Sequence, residues 1–149
     1  MQLILWRHAE AEDAGAKPDT DRELTKKGRK QADRMAAWLK PRVGKDWRIL
    51  VSPSRRTLQT VDPLGVAFEE EDAVGLSANV KTVLRAAGWP NAKDNVVVVG
   101  HQPTLGEVAA ELLGTPDGIS IKKGAVWWFS SRDDEAALRV VIGPDDVED

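Results

Sequence analysis

Arginine and histidine side chains follow three apolar runs that have the composition of buried strands. The first run, Gln2–Trp6, is followed by Arg7 and His8. The second run, Trp47–Val51, is followed by Arg55 and Arg56, and the third, Asn95–Val99, by His101. The chain contains two histidines, and both stand just beyond such a run. Because ligands of open parallel sheets bind beyond the carboxyl ends of the strands, these side chains are expected to meet at one rim.

These residue types suit the chemistry of a phosphoryl group. An arginine guanidinium presents a planar fork of donors that matches phosphoryl oxygens, and two forks neutralise the negative charge. A neutral imidazole can attack phosphorus in line and form a covalent N-phosphoryl intermediate, which water then hydrolyses. Pro103 suits the first turn of a helix whose free N–H groups would face the same anion. The sequence therefore predicts a phosphoryl-handling site in which one histidine attacks and the other stabilises.

Helical patterns alternate with the strands along the chain. The predicted helices are one capped by Thr25 and ended by Pro41, one at 54–62, one with apolar residues from Val80 to Ala87, and one from Pro103 to Gly114. Four consecutive valines at 96–99 require burial on both faces, which is typical of a central parallel strand. A short third strand is predicted at Val66–Phe68, and Ile119–Ser131 with Ala136–Ile142 predict an antiparallel hairpin.

This alternation predicts an α/β fold. We expect a single three-layer domain over residues 1–149, with a mainly parallel sheet flanked by helices and an antiparallel C-terminal hairpin. The length supports one domain, because 149 residues with 42% hydrophobic content can build one substantial core and not two. The segment Ala9–Glu23 has no apolar period and contains Gly15 and Pro18, so it is predicted as a loop over the end of the first strand.

Composition argues against several classes of protein. The chain carries 21 basic and 24 acidic residues, a formal charge of −3, so it has no global positive field for nucleic acid or an anionic membrane. It has no cysteine, which excludes disulfides, thiolate metal sites and a cysteine nucleophile. No HExxH, P-loop or GxGxxG motif occurs, so neither a metal ion nor a cofactor is expected. The N-terminal apolar run is too short for a signal sequence, and a soluble cytoplasmic protein is expected.

Four motifs together resemble those of a known family. They are LWRHAEA at 5–11, LTKKG at 24–28, VSPSRRTLQT at 51–60 and VGHQP at 99–103. Their residues, order and spacing are similar to the histidine phosphatase superfamily, and the short layout resembles its SixA-type phosphohistidine phosphatases. The likeness covers the chain from Met1 to about Gly114.

The resemblance implies a role for each matching residue. It implies that His8 is the nucleophile that becomes transiently phosphorylated, while Arg7, Arg56 and His101 are catalytic residues that bind the phosphoryl group. Gln102, in the same motif as His101, is included among the predicted substrate-binding residues. Arg56 is preferred to its neighbour because the family's arginine stands three residues before the Gln-Thr pair, as Arg56 stands before Gln59. Arg55 is expected at the surface.

The chain departs from the superfamily pattern at two places. Ala9 stands where the superfamily signature has glycine, a change that SixA-like members often accept. Larger members place a carboxylic acid after the third strand, where Ala73–Leu76 supplies none. General acid catalysis contributes about 10²- to 10⁴-fold in rate, so this gap favours phosphohistidine or aryl phosphates, whose leaving groups need little protonation, over sugar phosphates. Glu10 or the run Glu69–Asp72 remains an alternative source of an acid.

Three functions follow from these residues. The first is a metal-independent phosphohistidine phosphatase that acts on a phosphohistidine-bearing phosphotransfer protein of a phosphorelay. The second is a phosphatase for small aryl or sugar phosphates, or a mutase relative, and the third is a non-catalytic module that binds phosphoproteins. A basic helix start is predicted as a solvated face, with docking of an acidic partner as its alternative; its residues are Lys26, Lys27, Arg29, Lys30 and Arg34.

Overall fold

The strands of the protein lie in one mixed sheet. In the computed structural model, which describes residues 1–147, the strands are β1 Gln2–Arg7, β2 Arg48–Val51, β3 Glu69–Glu70, β4 Val96–Gly100, β5 Val126–Arg132 and β6 Glu135–Ile142. Their order is β3-β2-β4-β1-β5-β6. The first four in this order are parallel to one another, whereas β5 is antiparallel to both β1 and β6. The mainly parallel sheet and the antiparallel C-terminal hairpin are therefore confirmed.

Helices cover both faces of this sheet. Their bounds are α1 Lys26–Leu39, α2 Arg55–Val61, α3 Val80–Ala87 and α4 Thr104–Leu113. Along β4, Val96 and Val98 pack in one apolar cluster with α3 and α4, while Val97 and Val99 pack in a second cluster with α1 and α2. All four valines are fully buried, as their run predicted. The predicted three layers are thus present, and none of the helices in residues 1–147 has the length and apolar character needed to cross a bilayer.

Thr25 begins α1 as the sequence predicts. Its hydroxyl accepts a hydrogen bond from the backbone N–H of Gly28 at 3.0 Å, which satisfies one of the free donors at the start of the helix. Gly28 also faces the chain just after β1, where a Cβ atom would overlap the carbonyl oxygen of Glu10. The first turn of α1 therefore lies directly against the segment that leaves the end of β1.

The third strand lies further along the chain than predicted. The apolar run Val66–Phe68 is not a strand; the neighbouring acidic residues of β3 pair with Leu50 and Val51 instead. β3 is an edge strand whose two side chains are both exposed, so its place in the sheet depends on backbone hydrogen bonds and not on apolar burial. Charged side chains are common on such edges, and hydrophobic periodicity alone does not detect them.

The first strand of the predicted hairpin begins later than expected. β5 starts at Val126, and residues 119–125 belong to the irregular connection that follows α4. Ile121 in this connection is fully buried, which explains why the sequence resembled a strand, and Gly124 adopts a φ of +74°. We refer to residues 119–124 as the Ile121 segment. Residues 9–24, which contain the predicted loop and a short 3₁₀ turn at Asp19–Asp21, are referred to as the Asp19 loop.

Candidate active site

The carboxyl ends of β1 and β4 bring the two histidines together. Arg7, the last residue of β1, pairs in register with Gly100, the last residue of β4. The backbone N–H of His8 donates to the carbonyl of Gly100 at 3.1 Å. The rings of His8 and His101 lie 5.5 Å apart between their centroids, with 59° between their planes, and both residues are buried. The motifs of His8 and His101, which are distant in sequence, therefore meet at one rim of the sheet.

The His8 ring is held by the backbone carbonyl of Ala9. Its Nδ1 atom lies 2.7 Å from that oxygen, and because a carbonyl can only accept, Nδ1 carries the proton. The Nε2 atom of the neutral ring then has a free lone pair, as a nucleophile requires. Ala9 is fully buried, and its N–H donates to the Thr60 hydroxyl of α2 at 3.0 Å. The helix that carries Arg56 thus fixes the chain beside His8.

In each of the two site arginines, the Nη1 atom donates to a backbone carbonyl, which orients the side chain. Arg7 donates from Nη1 to the carbonyl of Ile121 at 2.7 Å. Arg56, which is 4% exposed, donates from Nη1 to the carbonyl of Asp19 at 2.8 Å and from Nη2 to its carboxylate at 3.2 Å. The Nε atom of each guanidinium has no partner in residues 1–147. Each arginine therefore keeps one N–H donor, at Nε, without a partner in the described chain.

The unpartnered buried polar atoms of the described chain gather at this site. In residues 1–147, the buried side-chain nitrogen or oxygen atoms without a hydrogen-bond partner are Arg7 Nε, Arg56 Nε and His101 Nδ1. A buried unpaired donor costs about 1–3 kcal/mol, and more when the group is charged. Folded proteins leave few such atoms, so two guanidinium donors and one imidazole nitrogen around the same histidine pair indicate a binding site for a polar group. A tetrahedral oxyanion is such a group.

Burial keeps both imidazoles neutral. It lowers the pKa of His8 from 6.5 to about 3, with a partial offset from the Ala9 carbonyl and further lowering by His101, Arg56 and Arg7. It lowers the pKa of His101 from 6.5 to about 4, and the positive charge of Arg56 acts in the same direction. At neutral pH the two rings therefore carry lone pairs and not positive charge. The positive charge of the pocket comes from its arginines.

The structure separates the two adjacent arginines of α2. Arg55 is exposed and lies 3.6 Å from the carboxylate of Glu23, whereas Arg56 is buried beside the histidines. This arrangement agrees with the preference for Arg56 and with the surface position expected for Arg55.

Gln102 makes two hydrogen bonds that link α4 to the Ile121 segment. Its amide nitrogen donates to the carbonyl of Ile119 at 2.9 Å, and its amide oxygen accepts from the N–H of Gly106 at 2.7 Å. Gly106 packs so closely here that a Cβ atom would overlap the Ile119 carbonyl oxygen. These contacts hold the segment that anchors Arg7. The substrate-binding role of Gln102 stays a prediction.

The carboxylates considered as acids have other partners. Glu10 accepts from the Thr25 hydroxyl at 2.7 Å, at the start of α1. Glu69 lies 3.1 Å from Arg48, and Glu71 accepts from the N–H of Ala73 at 3.2 Å. Whether any of these groups serves as a general acid stays a prediction.

Sequence reasoning missed two residues that contact the site. The Asp19 carboxylate forms an ion pair with Arg56, and its negative charge raises the pKa of His101. Ser52, directly after β2, places its hydroxyl oxygen 2.7 Å from His101 Nε2. Asp19 is one of several acidic residues in an irregular loop, so no local signal marks it. Ser52 occupies the same kind of position as His8 and His101, just beyond a buried strand, and that shared position could have identified it.

The described residues offer no set of metal ligands. In residues 1–147, no three His, Cys, Asp or Glu side chains lie together in an arrangement that could hold a metal ion.

The fold and the site define a class of protein, in which paired arginine and histidine side chains lie at the carboxyl ends of parallel strands. The model of the histidine phosphatase superfamily (branch 1) matches residues 3–74. The SixA homologue of Haemophilus influenzae is 33% identical over 136 residues, which span 80% of this chain and 82% of the relative. Phosphohistidine phosphatase SixA of Escherichia coli is 33% identical over 126 residues, spanning 75% and 74%. The chain therefore belongs to the histidine phosphatase superfamily, as its motifs indicated.

Solved structures agree with this assignment. A SixA structure complexed with tungstate superposes with a TM-score of 0.77 at 27% identity and covers 97% of this chain and 98% of its own. A SixA-type structure from Agrobacterium tumefaciens gives a TM-score of 0.81 at 24% identity, covering 96% and 98%, and this second likeness concerns the fold.

Proposed function

We propose that the protein is a metal-independent phosphohistidine phosphatase that acts on a phosphohistidine-bearing phosphotransfer protein. The observation that carries this proposal is the set of unpartnered nitrogen atoms on Arg7, Arg56 and His101 beside Nε2 of His8. The names of the relatives from H. influenzae and E. coli support the same substrate class. A tungstate ion in a SixA structure supports an oxyanion site, since tungstate has the shape of phosphate.

The reaction would proceed in two displacements at phosphorus. In the first, His8 Nε2 forms a bond to phosphorus while the bond from phosphorus to the substrate imidazole breaks, and the imidazole leaves as a neutral ring because its other nitrogen carries a proton. In the second, water attacks phosphorus, the bond to Nε2 breaks, and the proton of the water is released with inorganic phosphate. Arg7 and Arg56 would stabilise the charge on the phosphoryl oxygens through donors that are already oriented. His101 would add a third donor from Nδ1.

The charge state of Asp19 favours a substrate whose leaving group is weakly basic. Hydrogen bonds from Arg22, with further contributions from Arg56, hold the pKa of the Asp19 carboxyl below its usual value. This carboxylate is therefore ionised at neutral pH and has no proton to donate. An imidazole leaving group departs without such help, whereas the alkoxide of a sugar phosphate does not.

The substrate class can be tested by comparing three phosphorylated compounds in the presence of EDTA. We expect rapid phosphate release from a phosphohistidine protein, slower release from an aryl phosphate and little from a sugar phosphate. The His8→Asn variant removes the proposed nucleophile and serves as the matched control. Thermal unfolding checks that this variant is folded. Unchanged release by a folded His8→Asn variant would contradict the covalent mechanism.

Other outcomes would favour the alternative functions. Equal turnover of the sugar phosphate would support a small-molecule phosphatase or mutase relative. Stable binding of the phosphohistidine protein without phosphate release would support a binding module, and loss of release with EDTA would contradict metal independence. Three further expectations stay predictions: a cytoplasmic location, the absence of nucleic-acid and membrane partners, and a single domain over residues 1–149. Of these residues, 148–149 lie outside the described part of the chain.

The basic start of α1 also stays a prediction as a docking surface. Lys26, Lys27, Arg29 and Lys30 are exposed, and Arg29 lies 3.6 Å from Glu23. If this surface docks an acidic partner, Lys26→Glu together with Lys30→Glu raises KM for the phosphoprotein and leaves turnover of an aryl phosphate unchanged.

A further inference from the structure

Ser52 lies in a fixed position beside His101. It follows β2 directly and is 1% exposed. Its N–H donates to the carbonyl of Val99 at 3.0 Å, and its own carbonyl accepts from Ser54 N–H at 2.8 Å and from the Thr57 hydroxyl at 2.6 Å. The sheet and the start of α2 therefore fix the backbone on both sides of this side chain. The Ser52 hydroxyl is in turn held 2.7 Å from His101 Nε2.

The direction of this hydrogen bond follows from the available acceptors. In residues 1–147, the Ser52 hydroxyl oxygen has no hydrogen-bond partner besides His101 Nε2. If Nε2–H donated, the hydroxyl proton would be buried without an acceptor, which is unfavourable. If the hydroxyl donates, the hydroxyl and Nε2 are both satisfied, and the one donor left without a partner is the Nδ1–H group, which a bound oxyanion can satisfy. The neutral His101 ring then carries its proton on Nδ1, the atom that has no partner in the described chain.

The two histidines are thereby set in opposite tautomers by different partners. The Ala9 carbonyl accepts from His8 Nδ1 and leaves a lone pair on His8 Nε2. The Ser52 hydroxyl donates to His101 Nε2 and leaves an N–H group on His101 Nδ1. A lone pair can attack phosphorus, whereas an N–H group can donate to a phosphoryl oxygen. The contacts of the two rings thus distinguish the nucleophile from the donor.

We propose that Ser52 is a positioning residue whose hydroxyl keeps the proton of the neutral His101 ring on Nδ1, so that His101 donates to the phosphoryl oxygen. This proposal rests on the proposed function for its catalytic consequence. With the opposite tautomer, His101 would present a lone pair to the phosphoryl oxygens and repel them. Burial, together with the nearby charges of Arg56 and Arg7, lowers the pKa of His101, while the charge of Asp19 raises it. The net lowering keeps the ring neutral, which makes its tautomer decisive.

The tautomer can be measured directly by ¹⁵N NMR of the ring nitrogens in the full chain. The chain has two histidines, so the spectrum of His8→Asn assigns the signals of His101. We expect a protonated Nδ1 and an unprotonated Nε2 for His101 near neutral pH. A His101 ring with its proton on Nε2 would overturn the proposal, and this result does not depend on any variant of Ser52.

Variants of two neighbouring serines test the role of the hydroxyl. Ser52→Ala is expected to shift the His101 proton toward Nε2 and to lower kcat/KM for an aryl phosphate by about 10-fold, less than the 10²- to 10³-fold typical when a donor itself is removed. Ser52→Thr keeps the hydroxyl and should restore the tautomer and most of the activity. Ser54→Ala is the matched control, because Ser54 is equally buried but contacts the Thr57 hydroxyl instead.

Each outcome has a distinct meaning. An unchanged tautomer and activity within twofold in Ser52→Ala would contradict the proposal, as would the same shift in Ser54→Ala. If Ser52→Ala does not fold, the spectrum of the unaltered chain still decides. If the tautomer is as expected but no phosphohistidine is hydrolysed, the proposed function fails and the assignment of Ser52 stands.

Discussion

Two segments of the chain hold the two site arginines, and they differ in burial and in the kind of contact. The Ile121 segment anchors Arg7 through a backbone carbonyl, and Ile121 itself is fully buried. It is tied to the site by further bonds, from Gly124 N–H to the carbonyl of His8 at 3.0 Å and from Trp6 Nε1 to the carbonyl of Gly124 at 3.1 Å. This side of the pocket is fixed by hydrogen bonds of the backbone and of buried side chains.

The Asp19 loop holds Arg56 through the backbone carbonyl of Asp19 and also through the exposed Asp19 carboxylate. The side chain of Asp19 is 50% exposed, and it also lies 3.1 Å from Arg22. Exposed ion pairs contribute about 0–1 kcal/mol and are screened by salt. Arg7 is therefore anchored by a buried segment, whereas part of the support of Arg56 is an exposed ion pair that salt weakens.

The largest expected effect comes from replacing either arginine by lysine. Lysine keeps the positive charge but lacks the Nε–H that both guanidiniums leave available. We therefore expect Arg7→Lys and Arg56→Lys to lower kcat/KM by at least about 100-fold each. The two losses should be similar although the arginines are held differently. A value within threefold of the unaltered protein for one variant would show that only the other arginine contacts the phosphoryl group.

The second effect is a loss of stability in acid. The folded pKa values of His8 and His101 lie at about 3 and about 4, below the 6.5 of the unfolded chain. Between these values the unfolded state binds more protons, so stability is fully present above pH 6.5 and falls as the pH is lowered toward 4 and then 3. We expect a loss of about 2 kcal/mol per histidine at pH 5.

Thermal unfolding from pH 7 to pH 5 measures this dependence. The His8→Asn and His101→Asn variants should each show a smaller decrease in Tm than the unaltered chain. An equal decrease in all three proteins would place the responsible groups outside the pocket.

The third effect concerns the buried support of Arg7. Alanine is about 1 kcal/mol more favourable than glycine in a helix, but at Gly106 the added methyl group would overlap the Ile119 carbonyl. We expect Gly106→Ala to lower the free energy of unfolding by about 1–3 kcal/mol and to reduce kcat/KM, since the displaced segment anchors Arg7.

Gly28→Ala is the matched control for this variant. Its methyl group would overlap the carbonyl of Glu10, at the start of the Asp19 loop. We expect a comparable loss of stability with a smaller loss of activity. Equal losses of activity would argue against a specific support of Arg7 by the Ile121 segment.

The smallest effect concerns the exposed carboxylate of Asp19, which contacts Arg56. Asp19→Asn removes a negative charge near the oxyanion and keeps an oxygen that accepts from Arg56. We expect inorganic phosphate to bind about 2- to 5-fold more tightly at low salt, and the gain to shrink as salt is added. Asp21→Asn, in the same exposed 3₁₀ turn, is the matched control. Weaker phosphate binding by Asp19→Asn in calorimetry would show that the carboxylate is needed to orient Arg56.

The sequence predicted the parts of the fold that depend on apolar burial. β1 and β4 are buried on both faces, so their composition alone identifies them. β3 was misplaced because an exposed edge strand depends on backbone pairing. The Ile121 segment resembled a strand because Ile121 is buried, although its carbonyl bonds the guanidinium of Arg7 and no neighbouring strand.

The site was predictable to the extent that its residues end strands or match the family motifs. Arg7, His8 and His101 satisfy both conditions, and the choice of Arg56 required the family spacing. Asp19 was missed because its role arises from a contact across 37 positions of sequence. The tautomer of His101 could not be predicted from the sequence either, because it depends on which atoms surround the Ser52 hydroxyl.

A crystal structure of this protein with orthovanadate would show whether the pocket binds a phosphoryl group as proposed. We expect vanadium in line with His8 Nε2, with vanadate oxygens accepting hydrogen bonds from Arg7 Nε, Arg56 Nε and His101 Nδ1. Vanadate bound elsewhere, or bound here with His8 Nε2 turned away from vanadium, would contradict the proposed mechanism.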